Sequence, residues 1–149
     1  MSRNLNIGAV LLVIYGAWGV LEGLMSSLMA EWYLENWMTM MNEEFLPPTI
    51  SAIRDFSPKL LDFMIFVIQG YGLFVLFGSI LFCIVALIPY RKGEKWAWYA
   101  MLVTGAIVSG AMIFMITYMS SHAIVSIVMI IIWIAGLALP AKEILSKPS

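Results

Sequence analysis

Glu22 is the side chain in this sequence with the clearest capacity for chemistry, because it lies inside a hydrophobic run over residues 7–29. Placing an acid at membrane depth costs about 2.5–3.5 kcal/mol on insertion scales, so such a residue needs a partner or a use. The four hydrophobic runs of the chain contain no Lys or Arg. We therefore expect Glu22 to be protonated, or to hydrogen-bond with Gln69, Ser126, a tyrosine hydroxyl or water.

Three interpretations of Glu22 stay open at this point. In the first, it is a neutral acid that joins the helices through hydrogen bonds. In the second, it lines a polar pocket that opens to the outside. In the third, it lies nearer the membrane surface than the hydrophobic run suggests.

The other reactive side chains do not form a catalytic pattern. His122 is the only histidine, and Cys83 is the only cysteine, which excludes an intrachain disulfide. Ser126 and His122 fall on one predicted helix with no acid clearly placed beside them. The sequence has no phosphate-binding loop, zinc spacing or paired-carboxylate site. We expect no catalytic residue and no cofactor.

The twelve methionines raise the question of copper, because thioether sulfur binds Cu(I). Methionine is also a flexible filler of apolar cores, and this is the interpretation that we favour. The residues that a copper site would use are Met38, Met40, Met41, Met119 and His122.

The composition requires lipid as the solvent. Of the 149 residues, 62% are hydrophobic and 11% are charged, whereas a soluble domain carries about 25% charged residues. The bilayer is therefore the expected partner. The net charge of −1 gives no electrostatic footprint for nucleic acid. The first run could imitate a signal peptide, but its length and its acid favour a retained span.

Hydropathy predicts four spans, at about 7–29, 61–88, 96–118 and 123–139, with an outer loop over 30–60. One helix over 96–139 would be about 65 Å long, twice the ~30 Å hydrocarbon core, so the chain must turn near Ser120 and His122. The predicted fold is all-α. It is a polytopic membrane protein of one domain, with four transmembrane helices in an antiparallel bundle and short interfacial helices in the outer loop.

Basic residues give the predicted orientation. Six of them fall on one side of the four spans and only Arg54 and Lys59 fall on the other, so the positive-inside rule makes both termini cytoplasmic. The six are Arg3, Arg91, Lys92, Lys95, Lys142 and Lys147. The outer face is acidic through Glu31, Glu35, Glu43, Glu44 and Asp55.

The turn between the second and third spans reads Arg91-Lys92-Gly93-Glu94-Lys95-Trp96-Ala97-Trp98. Pro89 before it discourages continuation of the second span, and Gly93 permits the turn. The turn resembles that of small, uncharacterised four-helix membrane proteins of archaea and bacteria, over about a dozen residues plus the four-span layout. The resemblance implies a prokaryotic plasma membrane and no activity. The predicted membrane anchors are Arg91, Lys92, Lys95, Trp96 and Trp98, together with Trp32 and Trp37 in the outer loop.

The outer loop carries its own local signals. Acids and large aromatics alternate over 31–38, which is typical of a helix at the membrane surface. Pro47 and Pro48 break that helix. Thr49 could cap a second short helix, and Ser57 followed by Pro58 predicts the start of the second span.

Helical periodicity assigns faces to the spans. Polar residues on the predicted inner faces converge in the outer half of the membrane and form a candidate pocket of Glu22, Gln69, Ser126, His122, Tyr15 and Trp18. Gly16, Gly19 and Gly23 permit close helix approach, either within the chain or at a dimer or partner interface.

The sequence predicts a non-catalytic integral membrane protein, an accessory, assembly or interaction subunit with a membrane protein partner or a second copy of itself. One alternative is a protein that binds or transports a small ligand or ion in an outward-facing polar pocket around Glu22. Another is a lipid- or quinone-modifying enzyme in which Glu22 gives or takes a proton.

Overall fold

The computed structural model describes residues 2–41 and 49–146, and these ranges contain helices and turns but no strand. The helices are α1 (Arg3–Leu28), α2 (Ala30–Met40), α3 (Ile50–Phe56), α4 (Pro58–Val85), α5 (Lys95–Tyr118) and α6 (Ala123–Leu145). A π-helical turn, Ala86–Tyr90, extends α4, and a 3-10 turn, Ser120–His122, precedes α6. The predictions for Glu43, Glu44, Pro47, Pro48 and Lys147 lie outside the described residues.

Four of these helices are long and apolar enough to cross a membrane, by length and composition: α1, α4 with its π turn, α5, and α6 with its 3-10 turn. The all-helical class is therefore confirmed for the described residues. The turn expected near Ser120 is present, and it separates α5 from α6.

Local capping explains where several helices begin. The hydroxyl of Ser57 accepts a hydrogen bond from the Leu60 amide at 3.3 Å, with Pro58 at the first helical position of α4. Thr49 accepts from the Ala52 amide at 3.3 Å and so caps α3. Both caps confirm the sequence signals. Gly93 has a φ of 75°, which a residue with a side chain rarely adopts, so the predicted turn residue is also confirmed.

Pro89 and Pro140 both lie inside helical turns. Pro89 lies inside the π turn, where the wider hydrogen-bonding pattern accommodates a residue without an N–H. Pro140 lies inside α6, which continues to Leu145 instead of ending near 139. Pro140 and Ile144 are both buried, and Pro140 packs beside Gly8 of α1. This packing stabilises the last turns of α6 despite the proline.

α1 is the helix around which the others pack, because it contacts both α4 and α6 extensively. A Cβ on Gly23 would lie 2.5 Å from the backbone nitrogen of Leu76, so the two backbones of α1 and α4 meet directly. A Cβ on Gly8 would lie 2.7 Å from the carbonyl oxygen of Gly136, which gives α6 an equally close approach.

α5 is attached differently from the other long helices. It packs mainly on α6 and has few contacts with α4. Its attachment uses the indole of Trp133, which fits against Gly105 and donates a hydrogen bond to the carbonyl oxygen of Met101 at 3.1 Å. Trp98 donates in the other direction, to the carbonyl oxygen of Leu137 at 3.1 Å. α4 and α5 therefore contact each other at only a few residues.

Candidate functional site

A cavity of about 810 Å³ lies between α1, α4, α5 and α6, with α2 across one end. Most of its wall is apolar, and it includes Phe74 of α4 and Ile107 of α5. These two side chains are 81% and 70% exposed, so the cavity opens sideways where α4 and α5 lie apart. A volume of this size is typical of a pocket for a small organic molecule.

Glu22 is the acid of this cavity. It is half-buried on α1, and its Oε1 accepts two hydrogen bonds, one from the hydroxyl of Tyr33 at 3.0 Å and one from the hydroxyl of Tyr71 at 2.9 Å. Tyr33 comes from α2 and Tyr71 from α4, so three helices meet at one carboxyl oxygen. The other oxygen, Oε2, accepts no hydrogen bond from the residues that the structure describes.

The serines beside Glu22 donate to backbone carbonyl oxygens and not to its carboxyl group. Ser26 donates to the backbone carbonyl oxygen of Glu22 at 2.7 Å, and Ser27 donates to that of Gly23 at 2.6 Å. Each hydroxyl is thus satisfied within α1, four residues along the helix. The tyrosines of the neighbouring helices are the donors that fix the carboxyl group.

Aromatic rings surround this carboxyl group. The ring of Trp37 lies 5.4 Å from that of Tyr33 and 5.8 Å from that of Tyr71, with tilts of 43° and 58°. Trp18 and Trp32 line the same cavity, and both are partly exposed. We call Tyr33, Trp37 and Tyr71 the aromatic triplet; its members come from α2 and α4.

Tyr33 is a fixed donor. Its ring is buried under α2, and this burial raises the pKa of its phenol well above the usual range. The neighbouring Glu22 raises the pKa further, because a second negative charge there is unfavourable. The phenol therefore stays neutral and keeps donating to Glu22 through the physiological pH range.

Tyr15 gives the cavity a second polar group. Its hydroxyl is buried beside that of Ser109, which lies outside the cavity wall, and neither hydroxyl has a hydrogen-bond partner of good geometry among the described residues. Tyr15 lines the cavity, with its ring 5.5 Å from that of Phe82. It precedes Glu22 by seven residues on one face of α1, which separates the two polar groups by about 10 Å.

The structure brings five of the six candidate pocket residues to this cavity, which are Tyr15, Trp18, Glu22, His122 and Ser126. Gln69 is the exception, because its side chain is exposed and it does not line the cavity. Tyr71, two residues further along α4, meets Glu22 instead. The expected partner "a tyrosine hydroxyl" is thus the one observed, and Gln69 as its partner is wrong.

Sequence reasoning missed the aromatic triplet as part of the site. It assigned Trp37 to membrane anchoring, and it did not single out Tyr33 or Tyr71. A signal was available, since Tyr33 and Trp37 lie one helical turn apart beside the outer end of the span that holds Glu22. What the sequence lacked was the way α2 folds back over the long helices.

Three glycines of α1, which are Gly16, Gly19 and Gly23, are packed against α4. A Cβ would lie 2.5 Å from Cys83 Sγ at Gly16 and 2.2 Å from Ser79 Oγ at Gly19, and Gly23 meets Leu76 as described above. These three positions are therefore filled within the chain.

The predicted anchors have different surroundings. Trp32, Arg91, Lys92 and Trp96 are exposed, whereas Trp37, Lys95 and Trp98 are half-buried. Arg91 donates to the side-chain oxygen of Asn6 at 3.1 Å, which joins the turn before α5 to the start of α1.

The residues named for copper differ in burial. Met38 packs in the buried cluster under α2, and Met119 is buried at the end of α5. Met40 and His122 line the cavity, and Met41 is half-buried. Within the described ranges, no group of three or more His, Cys, Asp or Glu side chains could hold a metal ion.

Comparison with known proteins leaves the site to be interpreted from its own geometry. No family model, curated protein or solved structure matches this chain. What the arrangement offers chemically is one carboxyl oxygen with capacity for a further hydrogen bond, a wall of aromatic rings and a largely apolar cavity behind them.

Proposed function

We propose that this chain is an integral membrane protein that binds one small amphipathic molecule in the cavity beside Glu22. The observation that carries the proposal is the carboxyl group itself. Two tyrosines hold Oε1 in place, while Oε2 has no donor among the described residues. A few convergent polar groups in an apolar cavity are the usual composition of a site for a small molecule.

The proposed arrangement in the membrane is an antiparallel bundle of four spans. Contacts between opposite ends support it, since Gly8 near the start of α1 meets Gly136 near the end of α6. We place both termini in the cytoplasm of a prokaryotic cell, from the excess of basic residues at that end. In this orientation α2 and α3 lie at the outer surface, and the cavity is in the outer half of the membrane.

The side opening between α4 and α5 suggests how the ligand enters. Phe74 and Ile107 are exposed at this opening, and in the proposed orientation they face the hydrocarbon region. An amphipathic molecule dissolved in the outer leaflet would reach the cavity from within the membrane. Its polar group would then lie towards Glu22 and its apolar part along α5.

The other two candidate functions have less support. A partner subunit was favoured by the glycine face of α1, but Gly16, Gly19 and Gly23 are packed against α4. The lipid- or quinone-modifying enzyme depends on proton transfer by Glu22, whose Oε1 is already held by hydrogen bonds from Tyr33 and Tyr71. Binding of an amphipathic molecule is the function that involves both the carboxyl group and the apolar wall of the cavity.

A cavity-filling variant tests the proposal. Gly78 lines the cavity, and a Cβ there would meet no atom within 4 Å, so Gly78→Leu is expected to reduce the volume. Gly70 on the same helix also has open space but lies outside the cavity, which makes Gly70→Leu the matched control. The probe is a neutral photoreactive octanol that carries a diazirine, added to the purified protein in lipid nanodiscs.

The expected result is saturable labelling of the α5 segment that lines the cavity, at residues 104–115. Unlabelled octanol should compete with it, Gly78→Leu should remove it, and Gly70→Leu should keep it. Labelling that never saturates, or that both variants retain equally, would show that the probe samples only the lipid-facing surface and would refute the proposal.

A further inference from the structure

The charges around the cavity indicate what kind of polar group it would accept. Glu22 and His122 are the titratable side chains of its described wall apart from tyrosines, and this wall contains no Lys or Arg. An anionic ligand would therefore meet a carboxyl group with no compensating positive charge. A neutral or positively charged ligand would avoid this repulsion.

The aromatic triplet favours a positively charged ligand over a neutral one. The face of an aromatic ring attracts a cation, and Trp is the most effective of the rings in this role. Here Trp37 lies between Tyr33 and Tyr71 at centroid distances of 5.4 and 5.8 Å, and both tyrosines contact the carboxyl group of Glu22. Rings and an acid in contact form the combination that recognises quaternary ammonium groups.

Glu22 and the rings beside it keep accessible surface. Oε2 accepts no hydrogen bond from the described residues, and the side chain of Glu22 is only half-buried. Tyr71 is 37% exposed, and Trp18 and Trp32 also keep exposed surface where they line the cavity. Aromatic surface thus remains accessible beside the carboxyl group.

We propose that the ligand of this cavity is an amphipathic organic cation, held by the Glu22 carboxylate and the rings of Tyr33, Trp37 and Tyr71. This inference rests on the proposed binding function and narrows it to one ligand class. The apolar body of the cation extends along the cavity towards Tyr15. A hydrogen-bonding group about 10 Å from the charge would reach the Tyr15 hydroxyl.

Two probes of the same shape isolate the charge. Benzyltrimethylammonium is a cation without an N–H donor, and neopentylbenzene is its neutral isostere, with carbon in place of nitrogen. Binding is measured by ¹⁹F NMR of the full-length protein labelled with 5-fluorotryptophan in an uncharged detergent. Trp18, Trp32 and Trp37 report on the cavity, while Trp96 and Trp133 lie outside it and serve as internal references.

We expect the cation to shift the cavity resonances with an affinity at least about tenfold higher than that of the neutral isostere. Glu22→Gln should lower this preference to the part that the aromatic rings supply, and wild-type positions of the Trp96 and Trp133 resonances would show that the variant is folded. Trp37→Leu should weaken binding of the cation about fivefold or more. Glu35→Gln is the control, because it removes an exposed acid of α2 that does not line the cavity.

Equal affinity for the two probes would overturn the cation inference and leave the binding function in place. The same holds if the cation fails to bind while the photoreactive octanol still labels the cavity saturably. Equal loss of cation binding in Glu22→Gln and Glu35→Gln would assign the effect to general surface charge, and would also overturn the inference.

Discussion

Replacing Tyr33 with Phe tests whether one partly buried hydrogen bond holds α2 over the cavity. The hydroxyl of Ser121 donates to the carbonyl oxygen of Met40 in α2 at 3.4 Å. Two other polar connections join α2 to the rest of the described chain and differ in burial. One is the bond from Tyr33 to Glu22, and the other is the ion pair between Arg54 and Glu31. The Tyr33 ring is buried, whereas the two side chains of the ion pair are 54% and 52% exposed.

The difference in burial sets the expected magnitudes. A hydrogen bond to a charged acceptor contributes about 1.5–3 kcal/mol, which corresponds to a factor of roughly 10 to 150 in a local opening equilibrium. An exposed ion pair contributes about 0–1 kcal/mol, or at most roughly fivefold. Tyr33→Phe should therefore open α2 far more often than Arg54→Gln does.

Hydrogen exchange of the α2 amides measures this opening directly. Tyr33→Phe should speed exchange in Ala30–Met40 by at least about tenfold, while α6 remains protected. Tyr99→Phe is the matched control, because Tyr99 is exposed and lies near the other end of the long helices. If Tyr33→Phe accelerates α2 exchange by less than Arg54→Gln, the reasoning about the partly buried bond is wrong.

The pH dependence of this bond follows from the raised pKa of Tyr33. A free phenol ionises near pH 10, and the folded one ionises at higher pH because of burial and of Glu22. The folded state then holds a proton that the unfolded state loses above pH 10. The stabilisation by Tyr33 is thus full below pH 10 and is lost as pH rises towards the folded value. Exchange corrected for its intrinsic rate should show the Tyr33→Phe difference constant from pH 6 to 9, and a difference that disappears within that range would contradict this account.

Two further predictions concern the attachment of α6. A Cβ on Gly105 would lie 1.9 Å from Nε1 of Trp133, so Gly105→Ala should destabilise the protein by about 1–3 kcal/mol, whereas Gly110→Ala, in open space on the same helix, should not. Thermal unfolding followed by tryptophan fluorescence measures both, and equal melting temperatures would contradict the packing argument. Tyr90→Phe removes a 2.6 Å hydrogen bond to the carbonyl oxygen of Gly136, and should cost about 1–3 kcal/mol in the same assay because that buried acceptor loses its donor. An unchanged melting temperature would show that this carbonyl is satisfied elsewhere.

The sequence predicted the features that depend on local chemistry or on simple length. Four long apolar helices, the caps at Thr49 and Ser57, and the turn at Gly93 all follow from hydropathy, hydroxyl capping and backbone freedom. Each of these signals is contained within a few consecutive residues or one hydrophobic run. No knowledge of the neighbouring helices is needed to interpret them.

The rotation of α4 could not be predicted in the same way. A helix with apolar residues on all sides gives no strong periodic signal, and the periodicity of α4 placed Gln69 on its inward side. The structure turns Tyr71 to the acid and leaves Gln69 exposed, because the close contact of Gly23 with Leu76 fixes the rotation of α4. That contact is a matter of steric fit between two helices, which hydropathy does not encode.

The weak attachment of α5 has a consequence for selectivity. α1, α4 and α6 are joined by direct backbone approaches, whereas α5 packs mainly on α6. A wide ligand would then be accommodated by a tilt of α5 alone, with the loss of few side-chain contacts to α4. Glu22 and Tyr71 belong to the joined helices α1 and α4 and keep their positions. The site would accordingly select ligands strongly by charge and only weakly by width.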